Sequence, residues 1–309
     1  IDENRIKVEP HLCMGCGGCA TVCPSGAMTY AYPRVSDLGT RVKTVLQVFR
    51  EAGGEGACLL FHNTTDGREL IARLARRGKG LPAHVIPLEV YHIASLGLDL
   101  MLGGIALGAS RFVVLSTGAE PSGYHGAIER QMSFAQAIMS GLDLGEERFQ
   151  LIKAANPAEL EQAVWTKKNP RTLTPATFNL SNEKRTTLDF TFDHLLRHAP
   201  VGKEQVALPA DAPYGAVVVD RQKCTLCLAC VGACPEGALI DAKDKPQLKF
   251  IERNCVQCGL CEKTCPEDAI TLAPRLLLTA EATQPVVLNE DKVFDCVRCG
   301  KPFANQRII

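Results

Sequence analysis

The spacing Cys-x-x-Cys-x-x-Cys-x-x-x-Cys-Pro occurs three times in this chain, and no other feature restricts its folding as strongly. The copies run Cys13, Cys16, Cys19, Cys23-Pro24, then Cys224, Cys227, Cys230, Cys234-Pro235, then Cys255, Cys258, Cys261, Cys265-Pro266. Thiolates are soft ligands that select iron–sulfur clusters, and two-residue gaps let one loop wrap three corners of a cubane. Three 4Fe–4S clusters are therefore the expected cofactors, and electron transfer the expected chemistry. A zinc site or a set of free thiols is the bland alternative, and the repetition argues against it.

In paired motifs of this kind the cysteine before proline ligates the other cluster. That rule assigns Cys224, Cys227, Cys230 and Cys265 to one cluster, and Cys255, Cys258, Cys261 and Cys234 to a second. The first motif has no neighbouring copy. Cys13, Cys16 and Cys19 hold three irons, and the fourth ligand is either Cys23, by folding back, or a group elsewhere. Cys58 is the outside candidate, although Ala57-Cys58-Leu59-Leu60 reads as a core strand with an inert buried thiol.

The 15 cysteines in 309 residues would suggest disulfides in a short secreted chain, but cluster assembly needs them reduced, which points to the cytoplasm. Hydrophobic residues make up 46% and charged residues 22%, a globular composition long enough for about two domains. Lys+Arg and Asp+Glu both total 34, so no basic excess is available for nucleic acid. The chain opens on Ile1 rather than Met and reads as a fragment, so a missing targeting segment carries little weight. The longest apolar stretch, residues 94–109, is interrupted by Asp99 and too short to span a bilayer; it reads as a buried helix.

Each motif follows a β-rich run (residues 6–8, 216–219 and 248–251) and precedes a similar tag: Ser25-Gly26-Ala27-Met28, Glu236-Gly237-Ala238-Leu239 and Glu267-Asp268-Ala269-Ile270. The repeated unit reads strand, cluster loop, one helical turn, strand. Between the motifs, strand-like runs at 57–61, 83–88, 112–115 and 149–152 alternate with helical segments at 67–77, 95–107, 123–139 and 157–165, after a leading helix at 38–50. Strand–helix alternation argues for a parallel sheet covered by helices. The expected fold is thus α/β, a parallel sheet with covering helices, joined to an α+β two-cluster domain. The expected divisions are residues 1–33 (single motif), 34–166 (α/β), 167–214 (a proline-punctuated linker with one helix at 183–198), 215–275 (two clusters) and 276–309 (tail).

Cys296-Val297-Arg298-Cys299-Gly300-Lys301-Pro302 in the tail reads as the first half of a zinc ribbon, with a fourth cluster or a metal-free tail as alternatives. In the α/β region His62, His92 and His125 fall near strand ends, where ligands of open sheets gather. The turn from Thr117 to His125 is glycine-rich and opens a helix whose free amides could hold an anion. Histidines and glycines at such turns are more often structural. A flavin or substrate site there, within a larger oxidoreductase, is a second reading, and a metalloenzyme maturation factor a third.

The three motifs resemble those of bacterial 4Fe–4S ferredoxins. Residues 56–166 resemble the iron–sulfur (delta) subunit of methyl-viologen-reducing hydrogenases, on Gly108-Ala109-Ser110-Arg111-Phe112-Val113-Val114-Leu115, the turn from Gly118 to His125, and Gly145-Glu146-Glu147-Arg148-Phe149-Gln150-Leu151. That family holds a 2Fe–2S cluster with cysteines near its strand ends; here Tyr91-His92 and Ser116-Thr117-Gly118 stand in those positions. The resemblance therefore implies a scaffold or docking surface without that cluster, and a redox partner such as a dehydrogenase or hydrogenase. The combination is also similar to the multi-cluster ferredoxin-like proteins that accompany bacterial formate dehydrogenases.

Overall fold

The computed structural model describes residues 7–145, 147–200, 202–243 and 245–306, so Ile6 of the first β-rich run and Glu146 of the resemblance lie outside the described residues. The chain divides into two units, residues 1–199 and 200–309.

The first unit opens with the short helix α1 (Gly18–Val22), which carries Cys19, and α2 (Val35–Glu51). Strand and helix then alternate: β1 (Cys58–Asn63), α3 (Asp66–Arg77), β2 (Val85–Val90), α4 (Leu98–Ala106), β3 (Arg111–Ser116), α5 (Ser122–Gly141), β4 (Phe149–Lys153) and α6 (Pro157–Trp165). The four strands form one parallel sheet in the order β2-β1-β3-β4. In such doubly wound sheets the crevice outside the carboxyl ends is the place for a ligand. All six residues of β1 and of β3 are buried, as expected of central strands covered on both faces. Every residue of α4 is buried too, in line with its reading as a core helix.

Three expectations change here. The helix expected from residue 95 begins at Leu98, because Ile93–Ser95 form a separate 3-10 turn and Gly97 caps α4. No strand forms among residues 7–33: Lys7 and Val8 are irregular, for a strand needs a neighbour to bond with and this motif has no second copy beside it. The expected linker is also not a plain connection. Its helix, α7 (Lys184–His198), buries Thr187, Leu188, Thr191, Phe192 and Leu195 in the first unit, and Leu180 before it is 3% exposed.

The second unit is antiparallel. Its elements are β5 (Gln205–Ala207), β6 (Gly215–Val219), α8 (Ala229–Ala233), β7 (Leu239–Asp241), β8 (Gln247–Phe250), α9 (Leu260–Thr264), β9 (Ile270–Leu277), β10 (Val286–Glu290), β11 (Val293–Asp295) and β12 (Pro302–Asn305). Strand β9 pairs with β5 and β6, while β8 pairs with β7 and β10. The expected tail is therefore partly sheet: the apolar run Val286-Val287-Leu288 joins the edge of β8, and β11 with β12 closes a hairpin. Cys230, Cys255 and Cys261 belong to the unit's core beside Val217, Leu239, Phe250 and Ile270. Much of what would be side-chain packing in a larger domain is given over to sulfur.

Candidate metal centres

The three cysteine loops share one backbone. In each, the residue before the second cysteine and the residue after it take positive φ: Gly15 (68) and Gly17 (78), Leu226 (59) and Leu228 (62), Gln257 (55) and Gly259 (75). A five-residue helix follows, holding the third cysteine, and the cysteine before proline caps its end in extended conformation. Left-handed backbone is nearly free for glycine, but for Leu226, Leu228 and Gln257 it is a strain of about 1–3 kcal/mol each, of the kind that persists at functional sites. Amide N–H groups in and just after these loops point at the sulfurs. Gly15 donates to the Cys13 sulfur at 3.4 Å, Gln257 to Cys255 at 3.4 Å, Ala238 to Cys234 at 3.3 Å and Ala269 to Cys265 at 3.4 Å. Such donors stabilise thiolate and the negative charge of a cluster.

In the second unit two cavities have cysteine linings. One is lined by Cys224, Cys227, Cys230 and Cys265 with Leu226, Leu248 and Ile270. The other is lined by Cys234, Cys255, Cys258 and Cys261 with Val217, Phe250 and Leu272. The two sets are also close enough for one to feel the other's charge. Burial, then the charges of Cys224, Cys261 and Cys227, push the Cys230 thiol up to about 12. Burial and Cys255 push Cys261 up to about 11. Without a cation these sulfurs resist ionising together; an iron cluster removes that penalty, so the donor set fits the group. Cys227 and Cys258 are exposed, which puts one edge of each set at the surface.

The first unit's loop sits on the α/β domain. Thr21 donates to the Ala94 carbonyl at 2.6 Å, and Tyr30 to the Gly15 carbonyl at 2.6 Å. A Cβ on Gly17 would lie 2.8 Å from Ser95, so only glycine lets the loop approach the 3-10 turn after β2. Tyr124, at the start of α5, donates toward the Met14 sulfur at 3.1 Å, and its phenol is raised first by a hydrogen bond with Cys16. Cys13 and Cys19 are exposed and Cys16 half-buried. Burial acts to raise Cys23, but hydrogen bonds from Met28, Ser25 and Gly26 outweigh it and hold its thiol below the ordinary value. Lys184 of α7, itself half-buried, donates to the carbonyls of Ala20, Thr21 (2.9 Å) and Cys23 (2.8 Å). Beside it lies a cavity of about 130 Å³ lined in part by Asp99, Tyr30 and Lys184.

The cysteine loop thus covers the carboxyl edge of the sheet, close to where the sequence placed three histidines. His92 accepts the Ala94 amide on Nδ1 at 3.0 Å and meets the edge of the Tyr124 ring at 4.9 Å. His62 bonds the Asn63 carbonyl through Nδ1 at 2.9 Å. The Ser116 hydroxyl gives its one proton to Glu120 (2.8 Å) and accepts the Gly118 amide (3.3 Å), so His125 Nε2, at 2.8 Å from it, must donate. Glu120 also accepts from Asn63 at 2.9 Å. This buried network fixes the turn. Tyr30 and Lys184 carry no motif, and sequence reasoning passed over them. Tyr124 was visible only as the neighbour of His125 in a glycine-rich turn.

Cys58 lies in the core among Leu60, Leu70 and Val113, and burial pushes its thiol up to about 11, as for an inert residue. Cys296 and Cys299 sit in the turn between β11 and β12, where hydrogen bonds from Arg298 and Cys299 lower the Cys296 thiol. Among the described residues no three or more His, Cys, Asp or Glu side chains gather around a single metal ion, and zinc with thiolates wants four ligands at about 2.3 Å. The pair has no complement there, and the zinc expectation is not supported. No described helix is long and apolar enough to cross a membrane.

Comparison with known families agrees with the loops. Residues 223–270 match the family described as a 4Fe-4S dicluster domain, and residues 6–29 match that described as a 4Fe-4S binding domain. No curated protein matches the chain. The matched stretches are similar to ferredoxin-type domains, and they mark an iron–sulfur protein of the electron-transfer kind.

Proposed function

We propose that this chain carries three 4Fe–4S clusters and relays single electrons between a partner dehydrogenase or hydrogenase and an acceptor. The observation that carries the proposal is the pair of crossed cysteine linings, in which each cavity takes three cysteines from one motif and the fourth from the other. Cys224, Cys227, Cys230 and Cys265 would hold one cluster, and Cys234, Cys255, Cys258 and Cys261 the second. The shared backbone extends the reading to Cys13, Cys16 and Cys19, with Cys23 as the nearest fourth thiol in the chain. Each cluster, when bound, supplies a one-electron couple whose potential follows charge, hydrogen bonding and exposure. The chain's own part is to fix the thiolates, aim amides at them and leave Cys13, Cys19, Cys227 and Cys258 at the surface, where a partner can approach. The α/β domain, resembling the hydrogenase delta subunit, serves here as scaffold and docking surface. A cytoplasmic setting belongs to the same proposal, because the thiols must stay reduced.

Iron and acid-labile sulfide per chain, measured on anaerobically prepared protein, test it. About 12 irons, at four per cubane, are expected. About 8 would confine the relay to the second unit, and fewer would overturn the assignment there as well.

A further inference from the structure

We infer that Cys296 and Cys299 are a redox pair: they close reversibly to a disulfide at the tip of the β11–β12 hairpin, by exchange with a low-molecular-mass disulfide. The inference goes beyond the electron-relay reading and does not depend on it.

Of the 15 cysteines, twelve stand in the three cluster motifs and Cys58 is sealed in the core, which leaves this pair. The hairpin holds both residues in one turn. Strands β11 and β12 pair as far as Asp295 with Pro302, and the Cys296 amide then donates to the Lys301 carbonyl at 2.9 Å. Inside that bond the Gly300 amide donates back to the Cys296 carbonyl at 2.8 Å. An amide bonded four residues back makes a single helical turn, in which positions three apart face each other with Cβ atoms about 5–6 Å apart. A disulfide needs about 3.5–4.5 Å, so a small closing movement is enough. Gly300, at φ 66, then turns the chain into β12.

The turn is also open to reagents. Cys299 is exposed, Cys296 is half-buried, and Val297 between them is 98% exposed. Arg298 and Lys301 flank Cys299 in the chain, and cations beside a thiol favour the thiolate that carries out exchange. The base of the hairpin is anchored separately. Asn305 donates to the Thr225 carbonyl at 2.9 Å, and the Phe294 and Phe303 rings meet edge-on with centroids 5.9 Å apart. The tip can therefore close without loosening the strands. Among the described residues no third His, Cys, Asp or Glu joins the pair to make a metal site.

In the exchange one thiolate attacks a sulfur of the incoming disulfide and expels one thiolate. The second cysteine then attacks the mixed disulfide and expels the other. The pair gives up two electrons and two protons as its S–S bond forms, and the reagent is reduced to two thiols. A transient disulfide of this kind is compatible with a reducing compartment.

The 309-residue protein, equilibrated anaerobically with oxidised and then with reduced glutathione, alkylated and cut with trypsin, provides the test. Cleavage after Arg298 separates residues 293–298 from 299–307, so these peptides stay joined only through a disulfide. They should leave joined from the oxidised sample, and apart and alkylated from the reduced one, with iron content unchanged. Cys296→Ser should instead carry one glutathione on Cys299. Two free thiols in oxidised glutathione would overturn the inference. So would a glutathione on each cysteine with no link between them, a link found only between two chains, or a zinc ion that blocks the reaction. Failure of the cluster reading looks different: protein with only about 8 irons should still close the pair.

Discussion

Lys184 carries more of the N-terminal site than any side chain outside the cysteines. An ammonium has three donors, and here all three end on carbonyls at the close of α1: Ala20, Thr21 and Cys23. Helix ends leave such carbonyls without intrahelical partners, and a five-residue helix has little else to satisfy them. Burial lowers the lysine's pKa, and the nearby charge of Asp99 works against that shift. Lys184→Met would keep the apolar stem and orphan the carbonyls, at a cost of about 1–3 kcal/mol for each that water does not reach. The expected outcome is a loosened loop and about four irons fewer per chain, with the second unit untouched. Iron analysis together with hydrogen exchange of residues 13–23 checks it. Full iron and unchanged protection would mean that the loop is held by Thr21 and Tyr30 alone. None of this could be read in advance. The cysteines announced themselves by spacing, but the groups that seat them act from far along the chain: Thr21 with Ala94, Met14 with Tyr124, Lys184 with Cys23.

Among the elements, a close joint forms between α2, α4 and the segment before α7. Leu180 sits where Gly39 and Gly103 lack side chains; a Cβ would lie 2.7 Å from it at Gly39 and 2.8 Å at Gly103. Alanine is the better helix former by about 1 kcal/mol, so Gly103→Ala would stabilise an exposed helix. Here overpacking should prevail, at about 1–3 kcal/mol. Adding Leu180→Ala should then cost less in the Gly103→Ala background than alone, because the two changes share one space. Urea unfolding of the single and double variants measures this, and strict additivity would show that the contact relaxes freely. The joint also marks the limit of what the sequence shows. Helix α6 is found at the expected residues 157–165, and the four strands of the parallel sheet lie within a few residues of their apolar runs. Local periodicity suffices for those. It does not reveal that Leu180 and α7 complete the core, or that residues 7–33 form no strand, because both depend on which surfaces meet. Strand β10 was overlooked for the same reason: its apolar run is short, and β8 supplies its partner.

At the scale of the whole molecule, the two units should answer differently to acid. All seven histidines, from His11 to His198, fall in the first unit. Burial is the leading cause that lowers His62, His84, His92 and His194 below the ordinary histidine value. Each is therefore neutral in the folded unit and takes a proton more readily when unfolded. Between the lowered folded value and the unfolded one, about 6.5, the unfolded chain binds more protons, so stability is present above that range and is lost as pH falls through it. Asp99 works in the opposite sense. Burial raises its carboxyl, so protonation on acidification favours the fold and offsets part of the loss. The prediction is that the four histidines outweigh this one carboxyl. The second unit has no histidine, and its sheet should keep its protection over the same interval. Hydrogen exchange at pH 7.5 and 5.5, corrected for the intrinsic rate, resolves the units peptide by peptide: β1 and β3 should lose protection while β6 and β9 keep theirs. Equal loss in both units would trace acid sensitivity to the cysteine sites they share, and equal retention would mean that the four histidines are protonated within the fold at little cost.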